Sequence, residues 1–268
     1  MAVSAFTFKI LFKTAQFKPH YEKLRRSTYL MPPPSAVAGI IGAILGVNAR
    51  ELKKFCRENS ILTGAKLCNL EGYYVTLSRI FKFDRDTSGI KTLLHQYLHP
   101  KSKKEFHNAL RRLQELMPIK ESEELFRPLY KLAVAGSKDV IEECKSRLKD
   151  LKFEYEIFGG NDYHLVEDIK DIREAKLSKG KVGSGYCPLK FFESIKSPEY
   201  KMILNMKNTL NYSKGVSLPF ISISVIGPVL EQFVFVYGTE IVANECIDIV
   251  DDKDDKIFVY DPVRYLVP

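Results

Sequence analysis

The sequence predicts an α+β fold of the ferredoxin-like, RRM-like kind, in which strands and helices follow the order β-α-β-β-α-β. A basic, thumb-like insertion interrupts that order, and a β-rich part follows it. Three observations carry the prediction. Strand-like and helix-like segments alternate in this order over the first 160 residues once residues 84–127 are set aside. Residues 137–151 hold an amphipathic stripe of Val140, Ile141, Cys144, Leu148 and Leu151. Four short apolar runs separated by turn residues then occupy the last fifty residues or so.

Taken in order, residues 5–13, AFTFKILFK, are rich in aromatic and apolar residues with partial alternation, which predicts a strand. A polar, basic connection runs from residue 14 to 29. Residues 35–47 predict a helix with Ser35 as its N-cap. The next strand is expected at 73–83, YYVTLSRIFKF. Inside the insertion, Phe106, Leu110, Leu113 and Met117 recur at helical spacing. Residues 129–135, LYKLAVA, predict a strand that stops at Gly136, and residues 153–158 alternate as a further strand ending at Gly159-Gly160. The later strands are expected at 220–226, 231–237, 240–249 and 256–260. The domain reading is a first domain over 1–160, with its insertion at about 84–127, and a β-rich part over 161–268.

A chain of 268 residues that is 45% hydrophobic and 28% charged has the composition of a globular protein with a sizeable core. Its 5 cysteines are widely spaced and form no C-x-x-C, so neither a zinc site nor a disulfide framework is indicated. No carboxylate–histidine cluster has metal-ligand spacing, and no cofactor or metal is expected. With no secretory signal pattern, a cytoplasmic location is expected.

The net charge of +8 is unevenly placed. Lys9, Lys13, Lys18, Lys23, Arg25 and Arg26 face one acid, Glu22, within residues 9–26. Lys91, Lys101, Lys103, Lys104, Arg111 and Arg112 face Glu105 alone within 91–112. Lys176, Lys179, Lys181 and Lys190 stand in a stretch with no acid. Residues 240–261 reverse the pattern, with a net charge of −6. Three basic runs in one chain point to a polyanion, and nucleic acid fits best.

The stretch TYLMPPPSAVAGIIGAILG, residues 28–46, is the least ordinary. Its uncharged run is far shorter than the ~20 residues a membrane span needs. It lacks the spacing of either common phosphate-binding glycine motif. As a helix it has a bulky face, Val37, Ile40, Ile41, Ile44 and Leu45, and a small face, Ala36, Gly39, Gly42, Ala43 and Gly46. Each interior glycine costs roughly 1 kcal/mol of helix propensity relative to alanine. Close approach of another backbone, either protein or nucleic acid, is the expected compensation.

With its strand FTFKILFK and the run AQFKPHYEKLRRSTYLMPPPSAVAGIIGAILG, the chain resembles the fifth-subunit family of type I CRISPR Cascade complexes, in the RAMP superfamily. The matching features are Thr28 before Pro32–Pro34, the small Ser35, and Gly39, Gly42 and Gly46 in an apolar helix. YEIFGGNDYHLVEDI is similar to that family's glycine turn, here Gly159-Gly160. Together the motifs cover roughly the first 170 residues, and the insertion falls where the family's thumb is expected.

The resemblance implies a non-catalytic subunit that binds the 5′ handle of the CRISPR RNA and caps a filament of backbone subunits in antiviral defence. Its partners would be the crRNA, the backbone RAMP subunit and the large subunit, with target DNA met indirectly. Lys18, Lys23, Arg25 and Arg26 are suited to phosphates, and Phe17, His20, Tyr21 and Tyr29 to unpaired bases. Ser35 and the Gly159-Gly160 turn join them. Lys101, Lys103, Lys104, Arg111 and Arg112 would be the thumb's electrostatic footprint, and Lys179 and Lys181, in SKGKVGSGY, a further site for phosphate. The alternative is a metal-independent endoribonuclease that processes precursor crRNA. The cutting branch of the family places a lysine directly before a histidine, and here His20, His95, His99, His107 and His164 follow Pro, Leu, Leu, Phe and Tyr. His95, His99 and His107 in the basic insertion are the remaining candidates for acid–base roles.

Overall fold

A computed structural model describes residues 3–19, 27–79, 87–116, 119–160, 163–203 and 219–266. In chain order its elements are β1 (Val3–Phe12), β2 (Thr14–Ala15), α1 (Pro34–Leu45), α2 (Leu52–Glu58), β3 (Leu62–Asn69), β4 (Gly72–Arg79), α3 (Thr87–Leu98), α4 (Lys103–Leu116), β5 (Ile119–Phe126), β6 (Leu129–Ser137) and α5 (Lys138–Asp150). They continue with β7 (Val166–Pro188), β8 (Phe192–Ile195), β9 (Lys201–Ile203), β10 (Phe220–Ile226), β11 (Glu231–Asp251) and β12 (Lys256–Phe258). The chain divides into two compact units. The larger holds residues 1–23, 27–74 and 123–268, and the smaller holds 24–26 and 75–122.

The larger unit is built on a mixed sheet in the order β3-β6-β1-β7-β12-β11-β10-β9, with β8 pairing β11. β1 pairs antiparallel with β6 on one side and with β7 on the other. Period-2 alternation gives β1 two different faces. Phe6, Phe8, Ile10 and Phe12 are fully buried on the face covered by α1 and α5. Ala5 and Thr7 point the other way, where Ala5 packs with Ala133 and Ala135 of β6 and with Val250, Ile257 and Val259 from the C-terminal part of the chain. Small residues on that face let strands approach from above. At Gly64 a Cβ would run into the Phe258 carbonyl.

Four strand expectations change. The strand beside β6 is Leu62–Asn69, whereas the Tyr73 region, as β4, belongs to a separate three-stranded sheet in the order β2-β5-β4. Residues 153–158 form no strand. Tyr155 donates its N–H to Ala43 O at 3.0 Å, which lays this segment beside α1, and β7 takes the place next to β1. The expected strands at 231–237 and 240–249 are one strand, β11, which passes Gly238 at φ +82° and absorbs two register shifts against β7. SKGKVGSGY lies within β7: Lys179 is opposite Asp248, and Gly183 opposite Ile241.

Residue 160 falls between α5 and β7, and β7 then pairs with β1 through its first half and with β11 through its second. The sheet is therefore continuous past that residue. The smaller unit, seen by itself, is an α3–α4 helical pair that overlaps the expected insertion. Tyr97 stacks on Phe106 with ring centroids 5.4 Å apart, and Ala109 and Leu113 are buried. The sequence pattern had found α4 but not α3.

Candidate nucleic-acid interface

The approach to α1 is held by one threonine. The Thr28 hydroxyl accepts from the Phe17 N–H and donates to Tyr29 O, each at 2.9 Å, and Tyr29 N–H donates to Phe17 O at 2.9 Å. His20, Tyr21, Lys23, Arg25 and Arg26 lie outside the described residues. Pro33 then sits extended (φ −65°, ψ 165°) as the N-cap and Pro34 occupies the first helical position. Proline suits that place because its missing N–H would be unpaired there and its φ is already helical. The helix thus starts one residue earlier than the sequence suggested, and Ser35 is not its cap. The Pro33 carbonyl accepts from Ala36 N–H at 2.9 Å and Val37 N–H at 3.1 Å, and the Thr63 hydroxyl donates to Pro34 O at 2.8 Å.

Three glycines in this helix answer to three different demands. A Cβ on Gly42 would lie 3.0 Å from Leu52 Cδ1, so this position is the closely packed one. Gly46 is the C-cap at φ +79°, a left-handed conformation glycine adopts without strain. Among the described residues nothing lies within 4 Å of a Cβ on Gly39. The bulky face is buried at Val37, Ile40, Ile41 and Ile44, while Leu45 is half-buried.

A cleft of about 410 Å³ opens beside the first turn of α1, lined by Gln16, Lys18, Ser35, Ala36 and Gly160 and closed by Gly227, Tyr265 and Leu266. A groove of about 250 Å³ shares Phe17, Ala36 and Gly160 with it and runs over Gly39 and Ala43. Lys18 is exposed, and Ser35 half-buried. The Gly159-Gly160 turn is pinned to the chain beneath it: Gln16 N–H donates to Gly159 O and Gly159 N–H to His164 O, both at 2.7 Å. At Gly160 φ is +113° and a Cβ would run into the Gln16 carbonyl, so only glycine fits.

Two of the four expected stacking residues, Phe17 and Tyr29, are buried. Phe17 is 4% exposed and packs edge-on against Tyr130; Tyr29 is 2% exposed, stacks on Phe235 and donates its hydroxyl to Val225 O at 2.7 Å. Both rings form the cleft's floor rather than a platform, because Tyr130 and Phe235 arrive from distant strands to cover them. Lys179 and Lys181 are exposed on β7 but do not line the cleft. Tyr265, Leu266 and Gln16 were not found from the sequence. Nothing in their local pattern distinguishes them, and only the fold brings them together.

In the smaller unit Lys101, Lys103, Lys104, Arg111 and Arg112 are all exposed. The His95 and His99 rings lie 5.2 Å apart, and His107 Nδ1 is 2.7 Å from Lys103 O. His164 belongs instead to the larger unit's interior. Its Nδ1 lies 2.6 Å from the Thr14 hydroxyl, and burial pushes the imidazole down to about 4, leaving it neutral at pH 7. Among the described residues no three metal-ligating side chains gather, and no helix is long and apolar enough to cross a membrane.

A chain with this signature helix, glycine turn and mixed sheet falls within the CRISPR-associated proteins. Residues 6–207 match the family model described as CRISPR-associated protein (Cas_Cas5), and the chain belongs to that family. Among solved structures it is similar to a CRISPR protein from Archaeoglobus fulgidus (11% identity, TM-score 0.44, covering 97% of this chain and 100% of that one). It is also similar to a CRISPR RNA-guided surveillance complex chain (14%, TM-score 0.41, 60% and 59%) and to a Cas protein crystal structure (13%, TM-score 0.35, 60% and 58%). Each of the last two matches spans less than two thirds of the matched chain. No curated protein matches the sequence.

Proposed function

We propose that this protein is a non-catalytic RNA-binding subunit of a type I CRISPR interference complex. In this role it holds the 5′ handle of the CRISPR RNA and caps the filament of backbone subunits. Family membership supports the effector-complex setting. The ferredoxin-like reading of the first domain is supported by the strand order β3-β6-β1-β7, with α1 and α5 on one face.

The observation that carries the RNA-binding role is the groove over Ala36 and Gly39 on the small face of α1. Gly39 costs the helix about 1 kcal/mol of propensity relative to alanine, and among the described residues no atom lies within 4 Å of where its Cβ would be. The groove above it joins the cleft at Phe17, Ala36 and Gly160, and the cleft adds Lys18 and Ser35, so a cation, a hydroxyl and a bare backbone line one continuous surface. A sugar–phosphate strand needs that combination: charge for the phosphate and room for close approach. The exposed lysines and arginines of the smaller unit add the long-range attraction.

The test is binding of purified chain to labelled repeat-derived RNA over a range of salt concentrations, alone and with the backbone subunit. Affinity should fall linearly with log salt, and Gly39→Leu should weaken it. Absence of binding, with no salt slope, removes the proposal. A second reading, a metal-independent endoribonuclease, rests on the His95–His99 pair in the basic unit. RNA left uncut in EDTA at excess protein removes that one.

A further inference from the structure

The hairpin joining β10 to β11 turns at Gly227, Pro228, Val229 and Leu230. Pro228, Val229 and Leu230 are all exposed, Val229 at 48% and Leu230 at 64%. Hairpin tips are ordinarily polar, and three successive exposed apolar residues are unfavourable in water. Leu230 also sits at φ +53°, a left-handed conformation that glycine or asparagine adopts more easily than leucine. Neither the turn nor the core asks for a leucine here.

Its surroundings suggest what does. Gly227, on one side of the tip, lines the cleft beside α1. On the other side, Glu231 is a hub. It accepts from the Tyr265 hydroxyl at 2.7 Å, pairs with Lys190 at 2.7 Å, and has Arg264 at 3.7 Å. Tyr265 itself lines the cleft. The tip is thus anchored at both ends to the cleft wall, and two half-exposed cations share one carboxylate beside it. An apolar projection flanked by surplus positive charge is the composition of an element that parts stacked bases while neighbouring groups hold the phosphates.

We propose that Pro228–Val229–Leu230 is a wedge that packs against an unpaired nucleobase of an RNA strand at the mouth of the cleft, with Lys190 and Arg264 on the adjoining phosphates. This rests on the RNA-binding role proposed above for the cleft. A protein partner is the other possible cover for an apolar tip; the cations and the continuity with the cleft favour RNA.

The experiment uses the full chain and short single-stranded RNAs carrying a fluorescent adenine analogue at successive positions. In the wild type, one position should respond more strongly than its neighbours. Leu230→Asn, alone and with Val229→Ser, should abolish that response and weaken binding about tenfold. Its melting temperature should be unchanged or raised, because asparagine suits the backbone there. Unchanged affinity and an unchanged fluorescence profile in the double variant overturn the wedge while leaving the cleft role intact. Loss of assembly with other effector subunits, with the RNA profile intact, overturns it in favour of protein docking. No RNA binding by the wild type removes the cleft role and the wedge together.

Discussion

Gly39, Gly42 and Gly160 separate cleanly under substitution, because each meets a different neighbour. Gly39→Ala should stabilise the protein by about 0.5–1 kcal/mol, since the helix gains propensity and the unfolded chain loses freedom; a urea melt checks it. Gly160→Ala should destabilise by about 2 kcal/mol or more, because φ +113° and the Gln16 carbonyl leave no place for a methyl group. A Gly160→Ala protein that melts like the wild type would contradict this. His164 sets a pH dependence. Its imidazole is held down to about 4 by burial, against 6.5 ordinarily, so the unfolded chain binds the proton first. Stability should therefore be full above pH 6.5 and fall as pH drops toward 4. His164→Gln should flatten that slope, read as the difference between denaturant midpoints at pH 7 and pH 5. At this scale the sequence revealed residue types more readily than their roles. One letter, glycine, stood for an open groove, a packed contact and a left-handed cap. Phe17 and Tyr29 looked like surface rings because lysines and arginines stand beside them in the chain, yet Tyr130 and Phe235, a hundred and more residues away, decide their burial.

Among the elements, β6 carries the least expected side chain. Lys131, in the run LYKLAVA, is 2% exposed and pairs with Asp252 at 2.6 Å and Asp255 at 2.7 Å. Asp255 also meets Lys66, and Asp252 accepts from the Thr7 hydroxyl at 2.5 Å. These bonds tie β1, β3 and β6 to the turn between β11 and β12. Burial alone would raise both carboxyls, but the hydrogen bonds from the lysines and Thr7 hold them below the ordinary value of 3.8. Their contribution is thus present above about pH 4 and lost only as pH falls below it. Lys131→Met should cost about 3–5 kcal/mol at neutral pH by stranding buried carboxylates; burial then raises their titration in the folded state, so part of that loss should be recovered as pH falls toward 4. A stability gap between variant and wild type that is the same at pH 7 and pH 4 would refute this. β1, β6, α1 and α5 were legible from periodicity because each has one distinct buried face. β3 was missed, since GAKLCN mixes small, charged and apolar residues, and its pairing with β6 is decided by register rather than by its own alternation. Residues 153–158 alternate well but leave α5 beside α1, where no strand edge is offered.

For the whole molecule, the charge runs look different once paired. The acidic run at 240–261 is largely spent internally: Asp252 and Asp255 on Lys131, Asp254 on Arg173, and Glu240 on Lys196. The basic excess is less neutralised, most plainly on the smaller unit. Removing one phosphate-binding cation should reduce the log–log salt slope of RNA binding by about 0.7. Lys103→Ala with Lys104→Ala should lower the slope while leaving the melting temperature nearly unchanged, and an unaltered slope would take the smaller unit out of RNA binding.

β1 sits between β6 and β7, whose residues come more than a hundred positions later in the chain. At roughly 5–20 residues per second of synthesis, about 6–25 s separate β1 from the first residues of β6. Throughout that interval Phe6, Phe8, Ile10 and Phe12 have no sheet to join, and the nascent chain carries a β-prone apolar segment in the open. Pausing codons placed before residue 129 should lower soluble yield, and a chaperone that shields extended apolar segments should restore it. The strand at the heart of the sheet is thus the one that waits longest for its partners during synthesis.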